Sequence, residues 1–234
     1  MIPYLRPLDP FPPVDSAREG MGGLLAVGGS LAPERILDAY CRGIFPWGTV
    51  DGQPLWYSPD PRMVLFPQEF RLTRSLAKTV RSGKFEVRFD TDFRGVIARC
   101  AETPRPGQNG TWITDDMNDA YVRLHELGWA HSVETYAAGE LIGGLYGLAI
   151  GRMFYGESMF AHRTDASKVA FAHLVRYLVA NQFGMIDCQM YTDHLASLGG
   201  REIPRADFLD RLSVLTASGS PRSAWSSDPL DPAR

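Results

Sequence analysis

The residues with the clearest chemical potential lie near the C-terminal end of the chain, in the segment MIDCQMYTDHLASLGG at 185–200. An acid, a thiol and an amide follow one another there, as Asp187, Cys188 and Gln189, between apolar residues. Burying a polar group is costly unless the group finds a partner. The three side chains are therefore either satisfied parts of a core or members of a functional site.

A short β-strand is predicted over 185–190, and its geometry separates the three side chains. Alternate residues share one face of a strand, so Asp187 and Gln189 point one way and Cys188 points the other way, among apolar neighbours. Such surroundings favour a small buried hydrophobe over a nucleophilic thiol. Asp187 and Gln189 fit two alternatives: a structural hydrogen-bonded pair, or an acid that orients a substrate-binding amide.

Other polar motifs give narrower indications. Glu157, in the segment YGESMF, fits either a salt-bridged structural acid or a carboxylate that faces a cationic substrate. The segment GGLYG at 143–147 lies inside a predicted strand and opens no helix, so it lacks the fingerprint of a phosphate loop. The five histidines and three cysteines have no HxH, HExxH or CxxC spacing, so no metal site is predicted.

The composition is that of a globular protein. The 234 residues are 44% hydrophobic and 22% charged, which suits one large domain or a small domain beside a medium one. No apolar run approaches the ~20 residues needed to span a bilayer, and the proline-rich start has no apolar signal core. We therefore expect a cytoplasmic protein without a membrane partner.

The net charge of −3 conceals an uneven distribution. Residues 71–105 carry nine basic and four acidic residues, a local charge of +5 that leaves −8 for the rest of the chain. Arg74, Lys78 and Arg81 share one face of a predicted helix. This face is either a solvated helix surface or a phosphate-binding patch on an otherwise acidic protein.

The surrounding pattern predicts the elements that would position these residues. Residues 1–62 are rich in proline and aromatic residues, and we expect them to form a small N-terminal α/β domain. Residues 63–216 should form an α+β domain with a mostly antiparallel sheet, in which a crossover helix brings in one parallel strand. Residues 217–234 have linker composition and should be a flexible tail. The individual predictions are helices at 32–42, 71–82, 92–101, 111–128 (with Thr114 as the candidate N-cap), 166–182 and 204–216, and strands at 84–90, 130–137, 141–151, 153–160 and 185–190.

Several motifs, in order between residues 20 and 212, resemble the bacterial leucyl/phenylalanyl-tRNA–protein transferases. The most specific are WYSPDPR at 56–62, GESMF at 156–160 and DCQ at 187–189. The others are GGLLAVGGSL (22–31), RGIFPW (42–47), GTWIT (110–114), AYVRLHELG (120–128), GGLYGLAIGRMFY (143–155), DASK (165–168), HLASLGG (194–200) and IPR (203–205).

The resemblance implies a GNAT-type acyltransferase domain beside a small N-terminal domain. It implies transfer of leucine or phenylalanine, with methionine as a further candidate, from aminoacyl-tRNA to the N-terminal Arg or Lys of a protein. The product would be marked for degradation by the N-degron pathway. The donor is an activated ester, so no ATP, other cofactor or metal is expected. The expected partners are aminoacyl-tRNA and the acceptor protein, and the expected oligomeric state is a monomer.

The same resemblance implies roles for particular residues. Gln189 would accept a hydrogen bond from the acceptor amine, Asp187 would orient Gln189, and Glu157 would help to hold the acceptor. Trp47 and Trp112 match aromatic residues that hold the terminal adenosine of tRNA. The substrate-binding set also includes Tyr121, placed on the same helix as Trp112, and the donor-pocket positions Leu145, Phe154, Met159, Phe171, Leu174, Leu178 and Ile186. The patch that binds the tRNA acceptor stem would be Arg74, Lys78 and Arg81.

Two other functions compete with this one. An acetyl-CoA-dependent acetyltransferase of the same fold would usually carry a glycine-rich pyrophosphate loop before the helix at 166–182, where this chain has AHRTDASK. A non-catalytic tRNA-binding protein would need the basic residues of 71–105 but neither Asp187 nor Gln189. Binding of CoA, and the effect of replacing these two residues, would distinguish the three functions.

Overall fold

The first 57 residues form a small sheet with one helix beside it. The computed structural model describes residues 1–104, 111–217 and 225. The N-terminal elements are β1 (Tyr4–Leu5), β2 (Leu24–Gly28), α1 (Pro33–Cys41), β3 (Phe45–Val50) and β4 (Gln53–Tyr57). The strands lie in the order β1-β2-β4-β3. Helix α1 confirms the prediction for 32–42, whereas the strands were not predicted. Asp51 and Gly52, both at positive φ, connect β3 to β4, and this dipeptide is a recognised hairpin signal.

A larger sheet of seven strands follows. Its strands are β5 (Arg62–Leu65), β6 (Glu86–Phe89), β7 (Ala130–Ala137), β8 (Glu140–Ile150), β9 (Met153–Ala161), β10 (Met185–Gln189) and β11 (Arg201–Ile203). They lie in the order β11-β5-β10-β9-β8-β7-β6. All neighbours are antiparallel except β9 and β10, which are parallel. The predicted α+β class and the predicted parallel pair are therefore confirmed, and the β7–β10 order agrees with the implied acyltransferase fold.

Six helices accompany this sheet within the described residues. They are α2 (Arg74–Arg81), α3 (Phe93–Glu102), α4 (Asp115–Glu126), α5 (Ala166–Ala180), α6 (Asp193–Ser197) and α7 (Arg205–Ala217). Helix α4 begins where Thr114 accepts a hydrogen bond from the Met117 amide, as the predicted N-cap requires. Helix α2 begins three residues later than predicted because Thr73 caps it by accepting from the Leu76 amide. The short elements β5, β11 and α6 were not predicted.

Two large apolar clusters lie on the two faces of the seven-stranded sheet. One cluster joins the N-terminal sheet to the larger one, since Tyr40 and Trp56 belong to it together with Tyr155 and Tyr121. The other cluster lies under α5 and contains the residues around Ile186. The N-terminal elements therefore share a continuous core with the sheet that carries DCQ.

The pairing between β9 and β10 is short, and this creates the site. The two strands pair from Met185 opposite Met153 to Asp187 opposite Tyr155. The register between β8 and β9 shifts at Gly147, and that between β10 and β5 shifts after Asp187. Such bulges bend a strand and end its pairing. Beyond these points the ends of β9 and β10 border a cavity instead of each other.

Parts of two predictions lie outside the described residues. Arg105 belongs to the basic segment but falls in 105–110, and most of the tail expected over 217–234 is likewise undescribed. Trp225 is described and buried, with its ring 4.1 Å from that of His131 and 4.4 Å from that of Tyr177. Within the described ranges, no helix has the length and apolar character needed to cross a membrane.

Candidate active site

A cavity of about 900 Å³ opens where β9 and β10 separate. Strands β8, β9 and β10, helix α5, the start of β3 and the segment leading into α6 all contribute to its wall. The lining residues are Phe45, Pro46, Trp47, Trp112, Leu145, Tyr146, Phe154, Gly156, Glu157, Ser158, Met159, Phe171, Leu174, Ile186, Cys188, Gln189, Met190, Thr192, Asp193, His194 and Leu195. An apolar cavity with a few polar groups on its wall is the usual form of a small-molecule site.

Glu157 is the most heavily bonded polar residue of the wall. The Tyr40 hydroxyl donates to Glu157 Oε1 at 2.6 Å, and the Tyr121 hydroxyl lies 2.9 Å from Oε2. The two tyrosine hydroxyls are themselves 2.6 Å apart. Burial raises the pKa of Glu157 to about 8, although both tyrosine hydrogen bonds act to lower it. This carboxyl group can therefore exchange a proton near neutral pH.

Gln189 lies beside Glu157 at the end of β10. Its side-chain Nε2 donates to Glu157 Oε1 at 3.3 Å. The backbone of Gln189 has a φ of 58°, an uncommon value for a residue other than glycine, at the position where the register shifts. With the amide nitrogen on Glu157, the Gln189 side-chain oxygen is the group that can accept a hydrogen bond from a ligand.

Asp187 is held by Arg62, which lies 125 positions earlier in the chain. Arg62 Nε and Nη2 donate to the two carboxylate oxygens of Asp187 at 2.8 and 2.7 Å, and both side chains are completely buried. Arg62 Nη1 also donates to the carbonyl of Gly43 at 3.1 Å. Asp187 Oδ1 accepts from the backbone amide of Gln189 at 3.0 Å. In the free protein, Asp187 therefore contacts the backbone of Gln189, not its side-chain amide.

Cys188 has the surroundings of a core residue. It packs with Ile186 in the cluster under α5, and its Sγ lies 3.9 Å from the Ile186 carbonyl oxygen. Burial raises the pKa of the thiol far above its usual range, so the thiolate is not formed at neutral pH. The interpretation of Cys188 as a small buried hydrophobe is confirmed. The predicted alternation is wrong in one respect, because the register shift after Asp187 leaves both Cys188 and Gln189 on the cavity wall.

Comparisons with known proteins identify the family. A model of the leucyl/phenylalanyl-tRNA protein transferase matches residues 64–213, and a model of the N-terminal domain of the same transferase matches residues 29–60. The chain belongs to the leucyl/phenylalanyl-tRNA–protein transferase family. It is therefore an aminoacyltransferase, as the resemblance in its motifs implied.

Curated relatives agree with the family models over nearly the whole chain. A leucyl/phenylalanyl-tRNA–protein transferase of Dechloromonas aromatica is 81% identical over 100% of both chains. One from Chromobacterium violaceum is 57% identical, with 96% of each chain covered. Among solved structures, a GCN5-related N-acetyltransferase-like protein from Streptococcus suis is 15% identical at a TM-score of 0.36, covering 73% of this chain and 63% of that one. So low a score carries no conclusion about shared chemistry.

Most residues expected from the transferase family meet at the cavity. Glu157, Gln189, Trp47 and Trp112 lie on its wall. Six of the seven expected donor-pocket residues line it as well, namely Leu145, Phe154, Met159, Phe171, Leu174 and Ile186. Leu178 does not line the cavity, because it lies one turn further along α5 than Leu174.

Tyr121 and the aromatic residues differ from the expectation in detail. Trp112 precedes α4, which begins at Asp115, so Tyr121 and Trp112 are not on one helix. Tyr121 is completely buried and reaches the site through Glu157. Trp47 packs edge-on against Tyr57, with ring centroids 5.5 Å apart.

The expected tRNA patch lies on a separate surface. Arg74, Lys78 and Arg81 are exposed on α2, and none forms an ion pair within the described part of the chain. Leu76 anchors α2 in a small cluster with Val169 of α5, so the patch is attached to the helix that forms one wall of the cavity.

Sequence analysis missed two residues that hold the catalytic candidates. Tyr40 lies in the helix predicted at 32–42, and Arg62 is the last residue of the motif WYSPDPR. Their partners Glu157 and Asp187 are 117 and 125 positions away, and no local pattern reports such pairings. In the residues that the structure describes, no group of three or more His, Cys, Asp or Glu is arranged to hold a metal ion.

Proposed function

We propose that this transferase moves leucine or phenylalanine from aminoacyl-tRNA to the N-terminal Arg or Lys of an acceptor protein. One observation carries the assignment to this site: a single cavity joins an apolar pocket to Glu157 and Gln189 on its wall. The apolar pocket suits the side chain of an aminoacyl group, and the polar pair Glu157 and Gln189 suits an attacking amine. Family membership supports the reaction class.

The donor side chain would occupy the apolar end of the cavity. Phe154, Phe171 and Leu174 are almost completely buried and enclose it together with Met159. Such a pocket discriminates among apolar side chains by volume, at roughly 1–3 kcal/mol per methylene. The tRNA's terminal adenosine would stack on Trp47 and Trp112, whose half-buried rings border the same cavity.

The acceptor amine would bind at the Gln189 side-chain oxygen. An α-amine has a pKa of roughly 8, so a modest share is already a free nucleophile at neutral pH. The aminoacyl ester is activated, and holding amine and ester together supplies much of the rate. Asp187 would act as a positioning residue: with Arg62 it fixes the backbone turn that aims Gln189 at the cavity.

The tRNA body would lie across α2. Arg74, Lys78 and Arg81 would contact phosphates of the acceptor stem, while the acidic remainder of the protein discourages unspecific binding of nucleic acid. As a cytoplasmic monomer, the enzyme would mark its products for the N-degron pathway.

A direct transfer assay tests this proposal. The protein is incubated with Leu-tRNA, Phe-tRNA or Met-tRNA and a peptide that begins with Arg, and the product is analysed by mass spectrometry. We expect addition of Leu or Phe, loss by orders of magnitude in Gln189→Ala, and substantial retention in Cys188→Ala. Acetylation of the peptide from acetyl-CoA, without transfer from any tRNA, would overturn the proposal.

A further inference from the structure

Four oxygen atoms, the hydroxyls of Tyr40 and Tyr121 and the two carboxyl oxygens of Glu157, are joined by three short contacts beside the cavity. The Tyr40 hydroxyl is 2.6 Å from Glu157 Oε1, the Tyr121 hydroxyl is 2.9 Å from Oε2, and the two hydroxyls are 2.6 Å apart. All three separations lie within the range of O–H···O hydrogen bonds. Each of the three contacts therefore calls for one hydrogen atom.

The number of hydrogen atoms available to these contacts fixes the protonation state of Glu157. Burial raises the pKa of Tyr40 and of Tyr121 well above 10, so each hydroxyl keeps its proton and supplies one hydrogen. An ionised Glu157 would leave one of the three contacts with two facing oxygen atoms and no hydrogen between them. A protonated Glu157 supplies the third, because Oε2–H can donate to Tyr121, Tyr121 to Tyr40, and Tyr40 to Oε1.

The other groups around Glu157 agree with a neutral acid. Gln189 Nε2 donates to Oε1 and brings no charge. The nearby cation, Arg62, is bonded to Asp187 on both carboxylate oxygens, so its charge is already compensated. The Tyr155 hydroxyl donates to the backbone carbonyl of Tyr40 rather than to Glu157. Burial then dominates, and the pKa of Glu157 rises to about 8.

We propose that Glu157, buried against the hydroxyls of Tyr40 and Tyr121, is a neutral carboxylic acid in the free protein, and that this acid relays protons between the attacking amine and the leaving 3′-oxygen of the tRNA. The inference rests on the proposed function, since it assigns a step to that reaction. Tyr40 is in this scheme a positioning residue, because it acts through Glu157 and does not line the cavity.

The proton relay balances. The acceptor ammonium first loses one proton to water and becomes the free amine. Its nitrogen attacks the ester carbon, the new C–N bond forms, and the C–O bond to the 3′-oxygen breaks. Glu157 gives its proton to the 3′-oxygen and takes the surplus N–H proton, so it ends as the acid it was. The products are an amide, a free 3′-hydroxyl group and one proton in water.

This role differs from that of an anionic anchor. If Glu157 only held the acceptor's positive charge, replacing its carboxylate with a neutral amide would raise KM. A proton relay lost in the same substitution lowers kcat instead, by about 10²- to 10⁴-fold, the usual contribution of general acid–base catalysis. Glu157→Gln keeps the shape and most of the hydrogen bonds, so the two roles give opposite kinetic patterns.

The protonation state can be measured without any substrate. Infrared difference spectra of the full-length wild type against Glu157→Gln should show the carbonyl stretch of a protonated carboxyl group at neutral pH. The band should disappear as the pH passes through about 8. Its absence at neutral pH would overturn the inference, while peptide transfer in the same preparation would leave the proposed function standing.

The relay itself is tested by the pH dependence of transfer. Initial rates are measured from about pH 6 to about pH 9 as kcat/KM for the peptide, which reports on the free enzyme. The rate should fall above pH 8 in the wild type, and Tyr40→Phe should move this fall to higher pH, since it removes a donor to Glu157. Tyr155→Phe is the matched control, because its buried hydroxyl does not contact Glu157. A fall at the same pH in wild type and Tyr40→Phe would overturn the inference.

Discussion

The buried ion pair between Arg62 and Asp187 bears both on the stability of the fold and on the position of Gln189. Arg62 comes from the edge of the N-terminal segment and also packs its guanidinium over the rings of Phe45 and Phe208, at 4.7 and 4.6 Å. Breaking a buried pair on one side leaves an uncompensated charge, which is more costly than removing both members.

Replacing Arg62 alone should therefore lower the free energy of unfolding more than replacing both members of the pair. We expect Arg62→Met to lower the free energy of unfolding by about 3–5 kcal/mol and to reduce transfer, as measured by urea denaturation and by the peptide assay. Arg62→Met combined with Asp187→Leu should recover much of the stability but not the activity. A double variant as unstable as the single one would contradict this reasoning.

Glu157 should also make stability depend on pH. Its pKa is raised from 4.5 to about 8 in the folded protein, so the folded state binds its proton more tightly than the unfolded state. The stabilising contribution is complete below pH 4.5 and is lost as the pH rises through 8. We expect the free energy of unfolding of the wild type, relative to Glu157→Gln, to decline across that window. Parallel curves would show that the pKa is not raised.

At the scale of elements, the sequence was informative where local chemistry decides the structure. The cap at Thr114, the alternating strand 84–90 and the apolar strand β8 were all recognisable from neighbouring residues. Residues 62–65 were missed as a strand because they are short, follow two prolines, and pair only with distant segments. Glu157 and Gln189, which the sequence marked as polar residues in apolar strands, do line the cavity. Their neighbours Tyr40 and Arg62 come from distant elements that a local pattern could not join to them.

The proposed tRNA patch on α2 can be tested by substitutions that leave the cavity residues unchanged. Reversing the charges of Arg74, Lys78 and Arg81 to Glu should weaken tRNA binding and reduce the slope of log K against log salt by roughly 2–3. The salt dependence is followed by filter binding. Arg94→Glu is the control, since Arg94 is exposed in the same basic segment but bonded to Glu126. An unchanged slope in the triple variant would exclude α2 from the interface.

At the scale of the whole molecule, Trp225 is a distant part of the chain that packs into the core under α5. Its ring lies 5.8 Å from that of Phe154, which lines the cavity, and 6.2 Å from that of Phe183. Trp225→Ala should lower the free energy of unfolding by about 3–5 kcal/mol, the usual cost of removing a buried aromatic ring. Trp225→Phe should cost clearly less. A denaturation midpoint unaffected by Trp225→Ala would mean that the ring does not pack in solution.

The distances along the chain between bonded partners have a consequence for the newly made protein. Tyr40 and Arg62 leave the ribosome among the first third of the residues, yet their partners Glu157 and Asp187 follow 117 and 125 positions later. At roughly 5–20 residues per second, this interval lasts several seconds or more. Throughout it, Tyr40 and Arg62 are without the carboxyl groups that they bond in the folded protein. Competence for transfer thus arrives only with the last quarter of translation.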